Sequence, residues 1–234
     1  MSSIVVFGAG GRAGRAVTAE ASARGHRVTA VVRDPARHAG LPGVAEVRAG
    51  DVGDRDSVAE VSRGHDAAVN AVTPASGPEA LAALGKLDAE VFVRAADALL
   101  SAGPPRLIAI GLFANLLGPD GRPIHDDPAA FPRELRGFAL AHTAGLERLR
   151  EARDGVDWLM LSPPAALDVA GTRTGVYRLG GEDLPDGVLS YADLAVAVVD
   201  EIEHPRHHRT RVSITGVTTV QAGAARARPP WRAG

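Results

Sequence analysis

The chain has 234 residues, 45% of them hydrophobic, with a formal net charge of −2 and no cysteine. That length can bury a sizeable core in a single domain, and the absence of thiols excludes disulfides, thiolate metal sites and a cysteine nucleophile. The near-neutral charge gives no electrostatic reason to expect nucleic acid or an acidic membrane surface as a partner. No apolar run approaches the roughly 20 residues of a membrane span, and the N-terminus runs directly into a strand-like segment without a signal-peptide pattern. The expected location is therefore the cytoplasm.

Apolar runs alternate with helical stretches along the chain. Ser3–Phe7 reads as a buried strand and Arg12–Arg24 as a helix, with Ala13, Val17 and Ala21 along one stripe. Strands are expected at Arg27–Val32, Val44–Arg48 and Asp66–Val72, with a short helix at Asp54–Arg63 capped by Asp54 or Ser57. A long helix follows over Pro78–Ala102, then a strand at Leu107–Ile110 after the Gly103-Pro104-Pro105 break. The Gly- and Pro-rich segment Gly111–Phe131 reads as a long loop, of the kind that is usually functional or mobile. Pro128–Ala152 is expected to be mostly helix, Asp157–Leu161 a strand, Val176–Leu179 a short strand, Tyr191–Glu203 a helix and Arg211–Thr215 a last strand.

Such alternation implies an α/β domain, a Rossmann-type doubly wound parallel sheet covered on both faces, with a small C-terminal portion on the substrate side. Runs such as "IVVF", "VTAVV" and "WLML" are apolar throughout, as strands buried on both faces should be. Residues 1–216 form the expected nucleotide-binding domain. The tail Val217–Gly234 carries three arginines and no acid. It is expected to be poorly ordered or to pack on a partner chain, which leaves a homo-oligomer open.

The stretch from Ile4 to Pro35 carries Gly8, Gly11 and Gly14 between a strand and a helix, inside one βαβ unit. In that context the three glycines serve different ends. Gly8 makes the tight turn, Gly11 lets a diphosphate approach, and Gly14 lets the helix pack against the sheet. A helix N-terminus adds unpaired N–H groups and the positive end of its dipole. Gly10 and Arg12 complete the expected cradle. The second strand ends Val32-Arg33-Asp34. NAD-preferring sites usually place an acid there, whereas Arg33 offers a planar fork of donors suited to phosphate. Arg33, with Arg12 able to reach the same phosphate or the diphosphate, favours NADP(H) over NAD(H). Two alternatives stay open: Arg33 paired with Asp34 in solvent, and Asp34 binding a ribose hydroxyl.

Ligands of a doubly wound sheet lie beyond the carboxyl ends of its strands. Asp51 and Val52 are therefore expected near the adenine, Asn70, Ala71 and Val72 near the ribose, Gly111 after the fifth strand, and Pro163 against the nicotinamide. The competing reading of each position is plain turn chemistry.

The sequence "GAGGRAG", followed by "VVRDP", "GDV" and "WLMLSPPA" with "GTRTGVYRLGGEDL", resembles the atypical short-chain dehydrogenase/reductases of the NAD(P)H-binding family. That group includes flavin or biliverdin reductases and nitrogen-metabolite-repressor-like redox sensors. The likeness runs from about Ile4 to Thr215, and it implies NADP(H) held by Gly8, Gly11, Arg12, Ala13, Gly14, Arg33, Asp51 and Val52. Many short-chain relatives use a Tyr-x-x-x-Lys pair, whose lysine lets the phenol exchange a proton near neutral pH. Here the tyrosines are Tyr177 and Tyr191, neither has a lysine four residues on, and the chain's one lysine is Lys86. The matching places are Ala139 and Thr143. The serine and histidine of the group's flavin reductases match Leu112 and Ala165.

The polar candidates left for catalysis are His142, in the helix before the sixth strand, and Asn115, in the long loop. A histidine titrates near neutral pH, and an amide can hydrogen-bond a substrate carbonyl. No metal site is expected: His125-Asp126-Asp127 are adjacent loop residues that converge poorly, and His204–Arg209 reads as a solvated turn. The leading expectation is an NADP(H)-dependent oxidoreductase acting on a small carbonyl, quinone or flavin-like substrate. The alternatives are a non-catalytic redox sensor and, less favoured for so short a chain, an enzyme of nucleotide-sugar-like substrates.

Overall fold

The computed structural model describes residues 1–38, 40, 41, 43–74, 87–152 and 155–217. Its strands are β1 (Ser3–Phe7), β2 (Arg27–Val32), β3 (Glu46–Ala49), β4 (Ala67–Asn70), β5 (Arg106–Ile110), β6 (Asp157–Ser162), β7 (Ala166–Asp168), β8 (Tyr177–Leu179), β9 (Val188–Ser190) and β10 (Thr210–Gly216). The α-helices are α1 (Arg12–Ala23), α2 (Arg55–Ser62), α3 (Val91–Ala102), α4 (Arg136–Glu151) and α5 (Tyr191–Glu203).

The main sheet has the order β3-β2-β1-β4-β5-β6-β10-β8. Its strands are parallel except for β8, which runs antiparallel to β10. A separate parallel pair, β7 with β9, lies on the C-terminal side. The winding reverses between β1 and β4, which opens a crevice at the carboxyl ends of those strands.

Alternation along β1 assigns its side chains to two cores. Ile4 and Val6 join the cluster that includes Val17 and Ala21 of α1 and Leu194 and Val198 of α5. Val5 and Phe7 join the opposite cluster, with Val58 of α2, Leu99 of α3 and Leu146 of α4. Each of these four β1 side chains is at most 1% exposed, which explains why the strand is apolar at every position.

The elements differ from expectation mainly where proline or local packing decides. The third strand begins at Glu46 rather than Val44. Of the helix expected over Pro78–Ala102, the described part begins at Val91 after a turn at Asp88–Glu90, and residues 75–86 lie outside the described residues. The helix expected from Pro128 starts at Arg136, preceded by a 3-10 turn at Arg133–Leu135. Pro132 accounts for that delay, because its ring disfavours helical backbone at Phe131. Residues 218–234 of the tail lie outside the described residues.

The loop Gly111–Phe131 carries its own structure. It contains 3-10 turns at Phe113–Asn115 and Ile124–Asp126. Phe113, Ala114, Ile124 and Phe131 form a small core against Ala139 of α4. The rings of Phe113 and Phe131 meet edge-to-face at 5.7 Å. Among the described residues, no group of three or more His, Asp or Glu is arranged to hold a metal, and no helix is long and apolar enough to cross a membrane.

Candidate dinucleotide-binding site

The turn after β1 is shaped by two close approaches. Gly8 has φ +77, and a Cβ there would lie 2.8 Å from the Ala71 carbonyl atoms. A side chain at that point would force the β1 and β4 ends apart. The Gly8 and Ala9 N–H groups both donate to the Val31 carbonyl, at 3.1 and 3.3 Å, which folds the turn over β2. Gly14 sits directly under this turn: a Cβ there would lie 2.2 Å from the Gly8 oxygen and 2.7 Å from Ala9 Cα. Its tight contact is thus with the turn itself, and through the turn with the sheet. A Cβ at Gly11 would meet only the Gly8 oxygen, at 3.3 Å. No side chain caps α1, so its first-turn amides have no acceptor from a capping residue. Those are the features a diphosphate requires.

This turn forms one wall of a cleft of about 430 Å³, within the range of small-molecule sites. The cleft brings together Gly8, Gly10, Gly11 and Arg33 with Asp51, Val52, Ala71 and Val72 across the sheet end. Phe7, Val31 and Val32 add an apolar floor, and Gly50 and Thr73 complete the wall. Asp51 accepts a hydrogen bond from the Gly53 N–H at 2.8 Å, which fixes its carboxylate at the β3 end.

Other expected site residues stand elsewhere. Arg12 is exposed at the start of α1 and, like the half-buried Ala13, does not line the cleft. Asn70 accepts from the Val72 N–H at 3.2 Å and faces a small neighbouring crevice. Gly111 packs on Ser162, whose Oγ would lie 2.3 Å from a Cβ at that position. Pro163 is buried after β6 and is also not part of the cleft wall.

The mouth of the cleft is basic. Arg33 is exposed, lines the cleft and has no ion pair among the described residues. Asp34 is turned away: it accepts from the Ala36 N–H at 3.1 Å and lies 3.5 Å from Arg37 Nε. The pairing of Arg33 with Asp34 that the sequence left open is not made. Two further residues line the mouth, Arg37 and His38, both from the 3-10 turn Pro35–His38. Arg15 reaches them from α1, with Nε donating to the Gly10 carbonyl at 2.9 Å and Nη2 lying 3.3 Å from His38 Nδ1. The basic pair Arg37-His38 just beyond Arg33 was the available sequence signal for this half of the mouth.

The catalytic candidates are both built into packing. His142 is 7% exposed on α4. Its ring stacks on Phe92 at 3.7 Å and meets the Phe138 ring at 5.0 Å. Burial pushes its pKa down to about 3, so the imidazole is neutral at physiological pH. Asn115 donates from Nδ2 to the Ala139 carbonyl at 3.2 Å and to Thr143 Oγ1 at 2.8 Å. Its backbone carbonyl accepts from Arg211 at 2.8 Å. Asn115 thereby ties the long loop to α4 at the two positions, Ala139 and Thr143, that match the Tyr and Lys of other short-chain enzymes. Tyr177 is likewise occupied: its hydroxyl donates to Asp200 at 2.6 Å, and burial first, then that carboxylate, raises its pKa.

Comparison with known proteins agrees with this geometry. The NAD(P)H-binding family matches residues 8–205. YwnB of Bacillus subtilis (strain 168), an uncharacterized protein, is 34% identical over 226 residues, covering 90% of this chain and 97% of its own. A solved structure provisionally named an epimerase, from Bacteroides thetaiotaomicron, superposes with a TM-score of 0.78 at 31% identity, covering 94% of this chain and 99% of that one. Another, provisionally named an NADH-flavin reductase, from Streptococcus pneumoniae TIGR4, gives 0.76 at 26% identity, covering 93% of this chain and all (100%) of that one. With a matching glycine turn, an uncapped helix start and a cleft at the sheet's switch point, the chain belongs to the NAD(P)H-binding family of Rossmann-type oxidoreductases.

Proposed function

We propose that this protein is an NADP(H)-dependent oxidoreductase that transfers hydride to or from a small quinone, flavin-like or carbonyl substrate. The observation that carries the cofactor preference is the mouth of the cleft. Arg33 lines it without a carboxylate partner among the described residues, while Asp34 is held aside by the Ala36 N–H and Arg37. A guanidinium there suits a phosphate better than a ribose hydroxyl.

The nicotinamide, when bound, supplies or accepts the hydride. The protein's part is to bind and orient. The first-turn amides of α1 and the bare backbone at Gly11 receive the diphosphate. Arg33 and Arg37 receive the additional phosphate, and Asp51 with Val52 meets the adenine. For proton transfer the two candidates among the described residues offer little: His142 is neutral and Asn115 is committed to α4. Reduction of a carbonyl needs a positioned acid, whereas a quinone or flavin can take hydride and complete its protonation from solvent. Quinones and flavins are therefore the favoured acceptors. The name of the Streptococcus pneumoniae neighbour supports that class, although Leu112 and Ala165 stand where the group's flavin reductases carry serine and histidine.

Titration with NADPH and NADH, followed by turnover across quinones, flavins and aldehydes, tests both halves. Wild type is expected to prefer NADPH. Arg33→Ala should weaken NADPH about ten- to a hundredfold and leave NADH within about threefold, since a hydrogen bond to a charged group contributes ~1.5–3 kcal/mol. Equal affinities in wild type would overturn the cofactor assignment. Tight binding with no turnover above background across the panel would overturn the enzyme assignment and leave a nucleotide sensor.

A further inference from the structure

The turn Pro35–His38 follows Asp34, which accepts the Ala36 N–H through its carboxylate and the Arg37 N–H through its carbonyl. The turn carries the chain back over the first βα turn and lays the His38 ring on Gly10. A Cβ at Gly10 would lie 2.5 Å from His38 Cε1, 2.6 Å from Nε2 and 3.0 Å from Nδ1. The ring occupies space that any other residue at position 10 would claim. The glycine at position 10 therefore also makes room for a side chain that arrives from beyond β2.

Arg15 fixes the chemistry of that ring. Its guanidinium holds the Gly10 carbonyl through Nε and lies 3.3 Å from His38 Nδ1 through Nη2. A guanidinium can only donate. In that contact Nδ1 is therefore the acceptor, which leaves Nε2 as the ring's N–H. That N–H has no partner among the described residues, and His38 lines the cleft mouth beside Arg33 and Arg37. Arg15 approaches from α1, Arg33 and Arg37 line the same cleft, and Asp34 is already engaged by its own turn.

We propose that His38 is a specificity-determining residue of this cleft, recognising with Arg33 and Arg37 the phosphate that distinguishes NADP(H) from NAD(H), with Gly10 and Arg15 as its positioning residues. This inference rests on the cofactor reading above and names a further selector within it. A phosphate can accept from three donors of different direction, whereas a ribose hydroxyl cannot. The competing role for His38, so near the glycine turn, is contact with the diphosphate common to both cofactors.

Calorimetric titration of the full chain with NADPH and with NADH separates these roles without any assay of turnover. His38→Ala should weaken NADPH about tenfold and NADH less than about twofold. Gly10→Ala should displace the ring and weaken NADPH in the same direction, and this loss should shrink once His38 is already alanine. His38→Gln, which keeps an N–H donor, should recover part of the preference and so guards against a merely structural loss. Equal losses for the two cofactors would assign His38 to the diphosphate and overturn the proposal. So would an unchanged preference in His38→Ala. A wild-type protein without preference for NADPH would remove the cofactor reading and this inference together. A wild-type preference that survives His38→Ala would remove only this inference.

Discussion

Gly14→Ala is the sharpest test of the glycine cradle. The added methyl would stand 2.2 Å from the Gly8 oxygen and 2.7 Å from Ala9 Cα and the Gly8 carbonyl carbon. These are backbone atoms, so no rotamer change relieves the overlap. Restoring an ordinary contact of roughly 3.5 Å requires α1 to withdraw by about 1 Å. Overpacking of this kind costs about 1–3 kcal/mol. At a midpoint of ~2 kcal/mol, a chain of this size should lose roughly 4–8 °C in melting temperature. The same withdrawal carries the first-turn amides away from the diphosphate position. NADPH and NADH should therefore both weaken about tenfold or more, unlike the selective loss expected at Arg33. Differential scanning calorimetry and paired nucleotide titrations read the two effects. Gly137→Ala is the control of opposite sign. It lies in the first turn of α4 with open space around its Cβ, and alanine there should stabilise by about 0.5–1 kcal/mol. A Gly14→Ala protein with unchanged melting temperature and unchanged affinities would refute the cradle argument.

Two further predictions concern groups away from the cleft mouth. The Arg106 side chain is 8% exposed and donates to Asp157 at 2.8 Å and to Glu201 Oε2 at 3.0 Å, besides two backbone carbonyls. Arg106→Met leaves the buried Glu201 with His207 and two backbone amides but without the guanidinium, and should cost about 3–5 kcal/mol in urea denaturation, with nucleotide affinities unchanged. A loss below about 1 kcal/mol would mean the ion pair contributes only as much as an exposed one. His142 has a folded pKa of about 3, below its unfolded value near 6.5. Between those values the unfolded chain binds the extra proton, so stability falls as pH drops through this window and is full above it. His142→Phe removes that dependence and should gain about 2 kcal/mol relative to wild type at pH 5 compared with pH 8. Parallel pH-stability curves for the two proteins would show that the ring is not held neutral.

Much of the fold was legible because its elements carry their own signals. β1, β2 and β6 are apolar at nearly every position, which only strands buried on both faces require. The glycine spacing then pointed to the cleft that Gly8, Gly10 and Gly11 line. What escaped notice lacks such signals. β7 and β9 have three residues each and are held by pairing with one another across distant sequence. The loop Gly111–Phe131 was recognised by its Gly and Pro, but its order comes from Phe113, Ile124 and Phe131 meeting Ala139, contacts invisible to any local periodicity. At the mouth, Arg33 announced itself by standing where an acid is usual. His38 did not, because its role depends on a turn that returns it to Gly10. His142 shows the converse limit: its place in the helix is legible in the sequence, but its packing against Phe92 and Phe138 is not.

Parallel strands place their two ends at opposite poles of the molecule, and this chain uses each pole differently. The carboxyl ends of β1, β2 and β4 border the cleft with backbone, glycine and arginines that remain available to a ligand. The amino ends of β5 and β6 carry Arg106 and Asp157, joined there by Glu201 and His207 from the end of α5 and the turn into β10. Arg106, Asp157, Glu201 and His207 satisfy one another there and hold these elements in place. Mutations at the two poles should then separate cleanly. Arg33 and His38 variants should change cofactor choice with little loss of stability, and Arg106 variants should do the reverse. Gly14, lying where α1 bears on the turn, should change both. A chain in which Arg106→Met altered the NADPH-to-NADH ratio would show that the poles are coupled through the sheet, and the division of labour argued from strand polarity would fail.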